Sequence, residues 1–171
     1  MIVVLMGVSG SGKTTVGLLL AERLGCGFSD ADGFHPPKNV EKMRAGIPLT
    51  DDDRWPWLHA LRAAIEGWER EGVDRVVACS ALKQVYRDIL APRDDVTFVY
   101  LKGSAAVIGP RLAARTGHYM NPKLLDSQFA ALEEPAGALT VDIAGTPGEI
   151  VADILGKLGR IAQPGLSPPA A

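Results

Sequence analysis

The sequence predicts an α/β fold, a parallel sheet wound between two layers of helices, and three observations carry that expectation. Short β-branched runs alternate with longer amphipathic stretches along almost the whole chain. The short runs show little alternation of apolar and polar residues, as in strands covered on both faces. At 171 residues the chain suits one domain of ordinary size and is too short for two.

The elements follow in order. Ile2–Met6, Gly27–Asp30, Arg75–Cys79, Val96–Leu101 and Leu139–Ile143 read as five strands. After Asp51, the residues Leu58, Leu61, Ile65 and Trp68 recur at helical spacing. Near the end, Ile150, Val151, Ile154, Leu155, Leu158 and Ile161 do the same behind a capping box, Thr146-Pro147-Gly148-Glu149. Pro110 lies inside the helical pattern Ala105–Arg115 and predicts a kink there. The alternation implies right-handed crossovers, and ligands in such sheets bind beyond the carboxyl ends of the strands. A single domain is expected over 1–162. Gln163–Ala171, with three prolines and no charge, reads as a disordered tail.

Composition excludes several classes. Eighteen Lys and Arg against 20 Asp and Glu leave a net charge of -2, without the positive excess that a nucleic-acid backbone demands. No apolar run approaches the roughly 18–20 residues needed to cross a bilayer. Met1–Gly7 lacks the basic flank of a signal peptide. Cys26 and Cys79 form no Cys-x-x-Cys pair and suit small buried residues in a reducing compartment. A cytoplasmic protein is expected, with neither membrane nor nucleic acid as partner.

Gly7-Val8-Ser9-Gly10-Ser11-Gly12-Lys13-Thr14 fits G-x-x-x-x-G-K-[ST], after a strand and before a helix. The glycines let the backbone curl until its N–H groups converge on phosphate oxygens. The helix start adds positive potential, with Thr15 continuing the same turn. Lys13 would reach the β- and γ-phosphates, and the Thr14 hydroxyl would ligate Mg²⁺. A dinucleotide fingerprint fits poorly, since no third glycine follows. The motif predicts a P-loop binding ATP or another nucleoside triphosphate.

Asp30 and Asp32 end the second strand and would project the same way from extended chain. One can hold the Mg²⁺ water shell, the reading taken for Asp30. The other, Asp32, is the candidate base for an attacking hydroxyl. The bland alternative is an Asx-turn closing the strand. Asp51, Asp52 and Asp53 follow Thr50 as first-turn carboxylates behind an N-cap. Arg54 opposes the helix dipole there and points to an anionic ligand. Lys83 and Arg87, and likewise Arg111 and Arg115, are like charges four residues apart that an anion between them would reconcile. His35, just past Asp32, is placed to hydrogen-bond a substrate. Trp55, Trp57 and Trp68 read as core.

These residues resemble the gluconokinases of the thermoresistant type, from Val4 to about Glu134. The likeness rests on residues 5–13, Asp30-x-Asp32, His35-Pro36 and Asn39-Val40-Glu41-Lys42-Met43. It continues through Pro48–Leu58, Cys79–Asp88, Tyr100–Gly103, Gly117-His118-Tyr119-Met120 and Ser127-Gln128-Phe129. The resemblance implies transfer of phosphate from ATP to the 6-hydroxyl of D-gluconate. It implies a P-loop kinase fold with a substrate flap at about 36–70 and a lid at about 112–125, and often a homodimer. It also carries His118 and Gln128 into the substrate set. Lys13, Arg111 and Arg115 would then neutralise charge on the transferred phosphoryl. The rival readings are a kinase for another small anion, such as a shikimate-like acid, and a nucleotide-binding regulatory module without turnover.

Overall fold

The structure, a computed structural model, describes residues 1–93, 95–113 and 122–162. Strands β1 (Ile2–Met6), β2 (Gly27–Asp30), β3 (Arg75–Ala78), β4 (Val96–Lys102) and β5 (Leu139–Asp142) lie within one residue of their predicted bounds. All neighbouring strands are parallel, in the order β2-β3-β1-β4-β5. Between them run α1 (Lys13–Leu24), α2 (Pro37–Arg44), α3 (Asp51–Arg70), α4 (Gln84–Leu90), α5 (Ala105–Ala113), α6 (Pro122–Ala131) and α7 (Pro147–Ala162).

β1 is central, and all five of its residues are buried. Its side chains alternate between two cores, because successive residues of a strand face opposite ways. Val3 and Leu5 join Leu20, Ile108 and Ile154 on one face. Ile2, Val4 and Met6 join Leu58, Leu61 and Ile65 of α3 on the other. The chain moves from β1 to one side of the sheet and later to the other. A crevice therefore opens at the carboxyl end of β1.

The helices are stopped and fastened locally. At the start of α7 the Glu149 carboxylate accepts from Thr146 N–H at 2.8 Å, and Glu149 N–H donates to Thr146 Oγ1 at 3.3 Å. The predicted capping box is therefore present. Arg62 of α3, 6% exposed, donates to the Leu90 carbonyl at 2.9 Å and to Asp95 at 2.8 Å, tying α3 to the end of α4. α5 continues through Pro110, and α3 likewise carries Pro56, a local conflict that the sequence reading overlooked. Both cysteines are free, and burial pushes the Cys79 thiol up to about 12. Among the described residues no helix is long and apolar enough to cross a membrane. The segment predicted as a disordered tail lies outside the described residues.

Candidate active site

The phosphate loop leaves β1 and enters α1 without interruption. Gly10 and Gly12 have φ of +80° and +94°, in the left-handed region that favours glycine. Gly10 has no room for a side chain either: a Cβ there would lie 2.6 Å from Leu112 Cγ. Gly12 is the N-cap of α1, and no side chain caps that helix. Its first-turn N–H groups remain for an anion. Lys13 Nζ rests on the carbonyls of Gly7 and Val8, 3.0 Å from each. Ser11 is fully buried, and its hydroxyl has no protein partner. An outer cleft of about 260 Å³ continues from Gly10, Gly12 and Thr15 to Arg111, Gly145 and Pro147.

The two acids do not sit side by side on a strand as expected. Asp30 ends β2, whereas Asp32 lies in the 3-10 turn Ala31–Phe34. One oxygen of Asp30 accepts from Asp32 N–H at 3.0 Å, the Asx-turn, and its other oxygen stands 3.4 Å from Thr14 Oγ1. Asp32 is exposed as a residue, yet protein crowds around its carboxylate. That desolvation, with the Asp30 charge beside it, holds its acid above the ordinary range against the pull of His35 and Lys13.

The other wall comes from the flap segment. His35 stacks on Trp57, with ring centroids 4.4 Å apart and planes 15° from parallel. Trp57 is 3% exposed and donates Nε1–H to the Ala31 carbonyl at 2.7 Å, so the core reading of Trp57 holds. Thr50 and Asp53 form a capping box, and Lys42 of α2 adds two 2.8 Å bonds to the Asp53 carboxylate. These contacts hold the Asp53 carboxyl down to about 2, the Lys42 bonds contributing most. Asn39 of α2 donates to the Asp53 carbonyl at 2.7 Å and so locks α2 on α3. The sequence showed Asn39 and Trp57 only as members of the family's blocks, without these contacts, and Asp53 only as a first-turn acid behind the Thr50 N-cap.

The cations are distributed differently from the sequence reading. Asp51, read only as a first-turn acid, receives Lys83 Nζ at 2.7 and 2.9 Å and the Tyr86 hydroxyl at 2.5 Å. The Lys83 bond, then the Tyr86 bond, holds the Asp51 acid below its ordinary range. Arg54 makes only 3.4 Å contacts, to Asp51 and to the Tyr86 hydroxyl, and lies near enough to His35 to disfavour its protonation. Arg87 corrects the expectation outright. It is 3% exposed, and all its donors are taken: Ala81 and Leu82 carbonyls at 2.8 and 3.0 Å, the Glu133 carbonyl at 2.9 Å, and Gln84 Oε1 at 2.8 and 3.3 Å. The turn it clasps contains Ala81 at φ +41°, strained for a residue with a side chain. Arg87 is a structural clamp and has no donor left for an anion.

Arg111 donates to the Ile143 carbonyl at 2.7 Å and faces the outer cleft. Gln128 meets the phosphate loop: its Oε1 accepts from Ser9 N–H at 2.5 Å, and its Nε2 donates to Ser9 Oγ at 3.2 Å. Arg115 and His118 lie outside the described residues, as does most of the predicted lid.

Comparison with known proteins agrees with this geometry. The family model described as shikimate kinase matches residues 9–155. A probable gluconokinase of Dictyostelium discoideum is 45% identical over 92% of this chain and 86% of its own. The thermoresistant gluconokinase of Escherichia coli is 47% identical over 83% of this chain and 84% of its own. The crystal structure of a gluconokinase from Sinorhizobium meliloti superposes with a TM-score of 0.83 at 47% identity, covering 94% of this chain and 92% of that one. A P-loop beside an acid-and-cation wall, on this sheet order and with these relatives, leaves one assignment: the chain belongs to the gluconokinase family.

Proposed function

We propose that this enzyme transfers the γ-phosphoryl group of ATP to the 6-hydroxyl of D-gluconate, giving 6-phospho-D-gluconate and ADP. The likeness to gluconokinases across 92% of the chain carries this reading, since it takes in the acceptor wall as well as the phosphate loop. The ATP phosphates lie over the N–H groups of Gly7–Thr14, with Lys13 turned from the loop carbonyls to the β- and γ-oxygens. Arg111 and Thr15 border the outer cleft, so Arg111 serves the body of the nucleotide rather than the transferred group. Asp32 accepts the hydroxyl proton as the oxygen attacks phosphorus. Its raised acid brings it closer to working pH and makes it a better base. Arg54 meets the gluconate carboxylate with its planar fork, and Lys83 stands behind it, shared with Asp51. His35 donates to an acceptor oxygen.

Thr14 and Asp30 offer a hydroxyl and a carboxylate, the hard oxygen donors that Mg²⁺ takes. Among the described residues no cluster of three or more His, Cys, Asp or Glu could hold a metal. Such an ion would rest mainly on phosphate oxygens and these two residues. When bound, it neutralises phosphate charge. A homodimer and a cytoplasmic location belong to the same proposal, and light scattering reads the first. Coupled ADP release with D-gluconate, D-glucose and shikimate as acceptors tests the reaction. Turnover with gluconate and none with glucose is expected; faster turnover of shikimate would overturn it.

A further inference from the structure

The hydrogen-bond logic around His35 fixes more than its position. Its Nδ1 lies 3.3 Å from Asn39 Nδ2, and that same nitrogen lies 2.7 Å from the backbone carbonyl of Asp53. A carbonyl oxygen only accepts, so the atom of the Asn39 amide that faces it is the nitrogen. One of the two amide hydrogens goes to Asp53, and the other points at His35 Nδ1. That ring nitrogen must then be the one without a proton, and in the neutral ring the proton sits on Nε2. Among the described residues nothing hydrogen-bonds to Nε2. The arrangement carries a cost, because Asn39 is 0% exposed and its Oδ1 has no partner. A buried amide held half-satisfied calls for a reason beyond packing two helices together.

We propose that Asn39 is a positioning residue that locks His35 as the neutral Nε2–H tautomer, so that the ring meets the acceptor's oxygens as a hydrogen-bond donor and not as a cation. Protonating Nδ1 would set its N–H against the Asn39 N–H. A neutral ring also leaves Asp32 without a fixed imidazolium beside it, which would lower its proton affinity and weaken it as a base. Burial, first, and Arg54 of α3 disfavour the charged ring, while Asp32 of the 3-10 turn favours it. From α2 the ring meets the neutral amide of Asn39. The role of the ring rests on the acceptor-site reading above, whereas the tautomer is a property of the free protein.

Long-range proton–nitrogen NMR on the full chain, labelled with ¹⁵N-histidine, tests the lock over about pH 5 to 8. The His35 signals are assigned by their loss in His35→Gln. An unprotonated Nδ1 and a protonated Nε2 are expected, persisting below the ordinary histidine range of about 6.5. A protonated Nδ1 in the wild type at neutral pH would overturn the proposal, and this spectrum needs no Asn39 variant to fold. Asn39→Asp keeps the shape but turns the donor into an acceptor. It should make His35 cationic at neutral pH and raise the KM for gluconate at least about tenfold, with the KM for ATP within about threefold. A cationic His35 with unchanged gluconate KM would also overturn it. A wild-type enzyme whose ADP release ignores gluconate would sink the proposed reaction instead, and the His35 spectrum would still decide the lock.

Discussion

The phosphate loop draws its groups from eight consecutive residues, Gly7 to Thr14, whereas the acceptor wall gathers His35, Asn39, Arg54, Trp57 and Lys83 from four places in the fold. The loop works mainly through backbone N–H groups aimed by glycine conformations and a helix start. The acceptor wall works through side chains aimed by other side chains: Trp57 under His35, Asn39 beside it, Asp51 across Lys83. Phosphate is common to all ATP-using enzymes and can be held by a local motif. The acceptor is particular, and the groups that distinguish it come from distant segments.

The sharpest way to break that comparison is at the loop. Lys13→Ala should lower kcat at least about a hundredfold, as for loss of a donor to developing charge, with the melting temperature nearly unchanged. Near wild-type turnover would remove the nucleotide assignment. Asp32→Asn crosses to the other wall and should lower kcat by about a hundredfold while ATP still binds. The base must be ionised to act, and its acid lies above the ordinary range. Activity should therefore fall as pH drops through a point above the usual carboxylate value of about 3.9. That acid limb should vanish in Asp32→Asn; a limb that stays belongs to another group.

Arg54→Ala should act on one substrate only. Removing a cation from a desolvated carboxylate costs about 2–5 kcal/mol, so the KM for gluconate should rise tens-fold or more. The KM for ATP should stay within about threefold. Arg54→Lys should recover part of the loss, since an ammonium cannot make the paired contact. Equal weakening of both substrates would move Arg54 to the nucleotide side.

What the sequence reveals follows the same division. All five strands and the phosphate loop were legible because each is a local pattern, an apolar run or a spaced set of glycines with a lysine. The Thr50 N-cap, and the capping box of Thr146 with Glu149, were legible for the same reason. The flap chemistry was not. Lys83 and Arg87 look alike in sequence, yet one lies at the N-cap of α4 facing Asp51 and the other is buried beneath a turn. Periodicity cannot tell an arginine that binds carbonyls from one that binds a ligand, because the carbonyls leave no mark in the sequence. Asn39 stood in a family block, but its role was hidden on similar grounds, since its partners are a ring and a backbone oxygen reached only after α2 meets α3.

Arg87 therefore gives the smallest expected effect on catalysis and the clearest test of the contrast. Its planar group spends five N–H donors on three backbone carbonyls and Gln84, around the strained Ala81 turn at the end of β3. Arg87→Lys keeps the charge, but a compact ammonium has three donors and cannot span the carbonyls of Ala81, Leu82 and Glu133 together. Each carbonyl left buried without a donor costs roughly 1–3 kcal/mol. In a chain of this length about 1 kcal/mol moves the melting temperature by about 2–4 °C. A fall of roughly 5–10 °C in Arg87→Lys is expected on that scale. Below the transition, both KM values should remain within about threefold of wild type. A gluconate ligand would give the reverse, a raised gluconate KM with the melting temperature intact. Calorimetry beside the two KM values separates the cases, and the second result would return Arg87 to the acceptor wall.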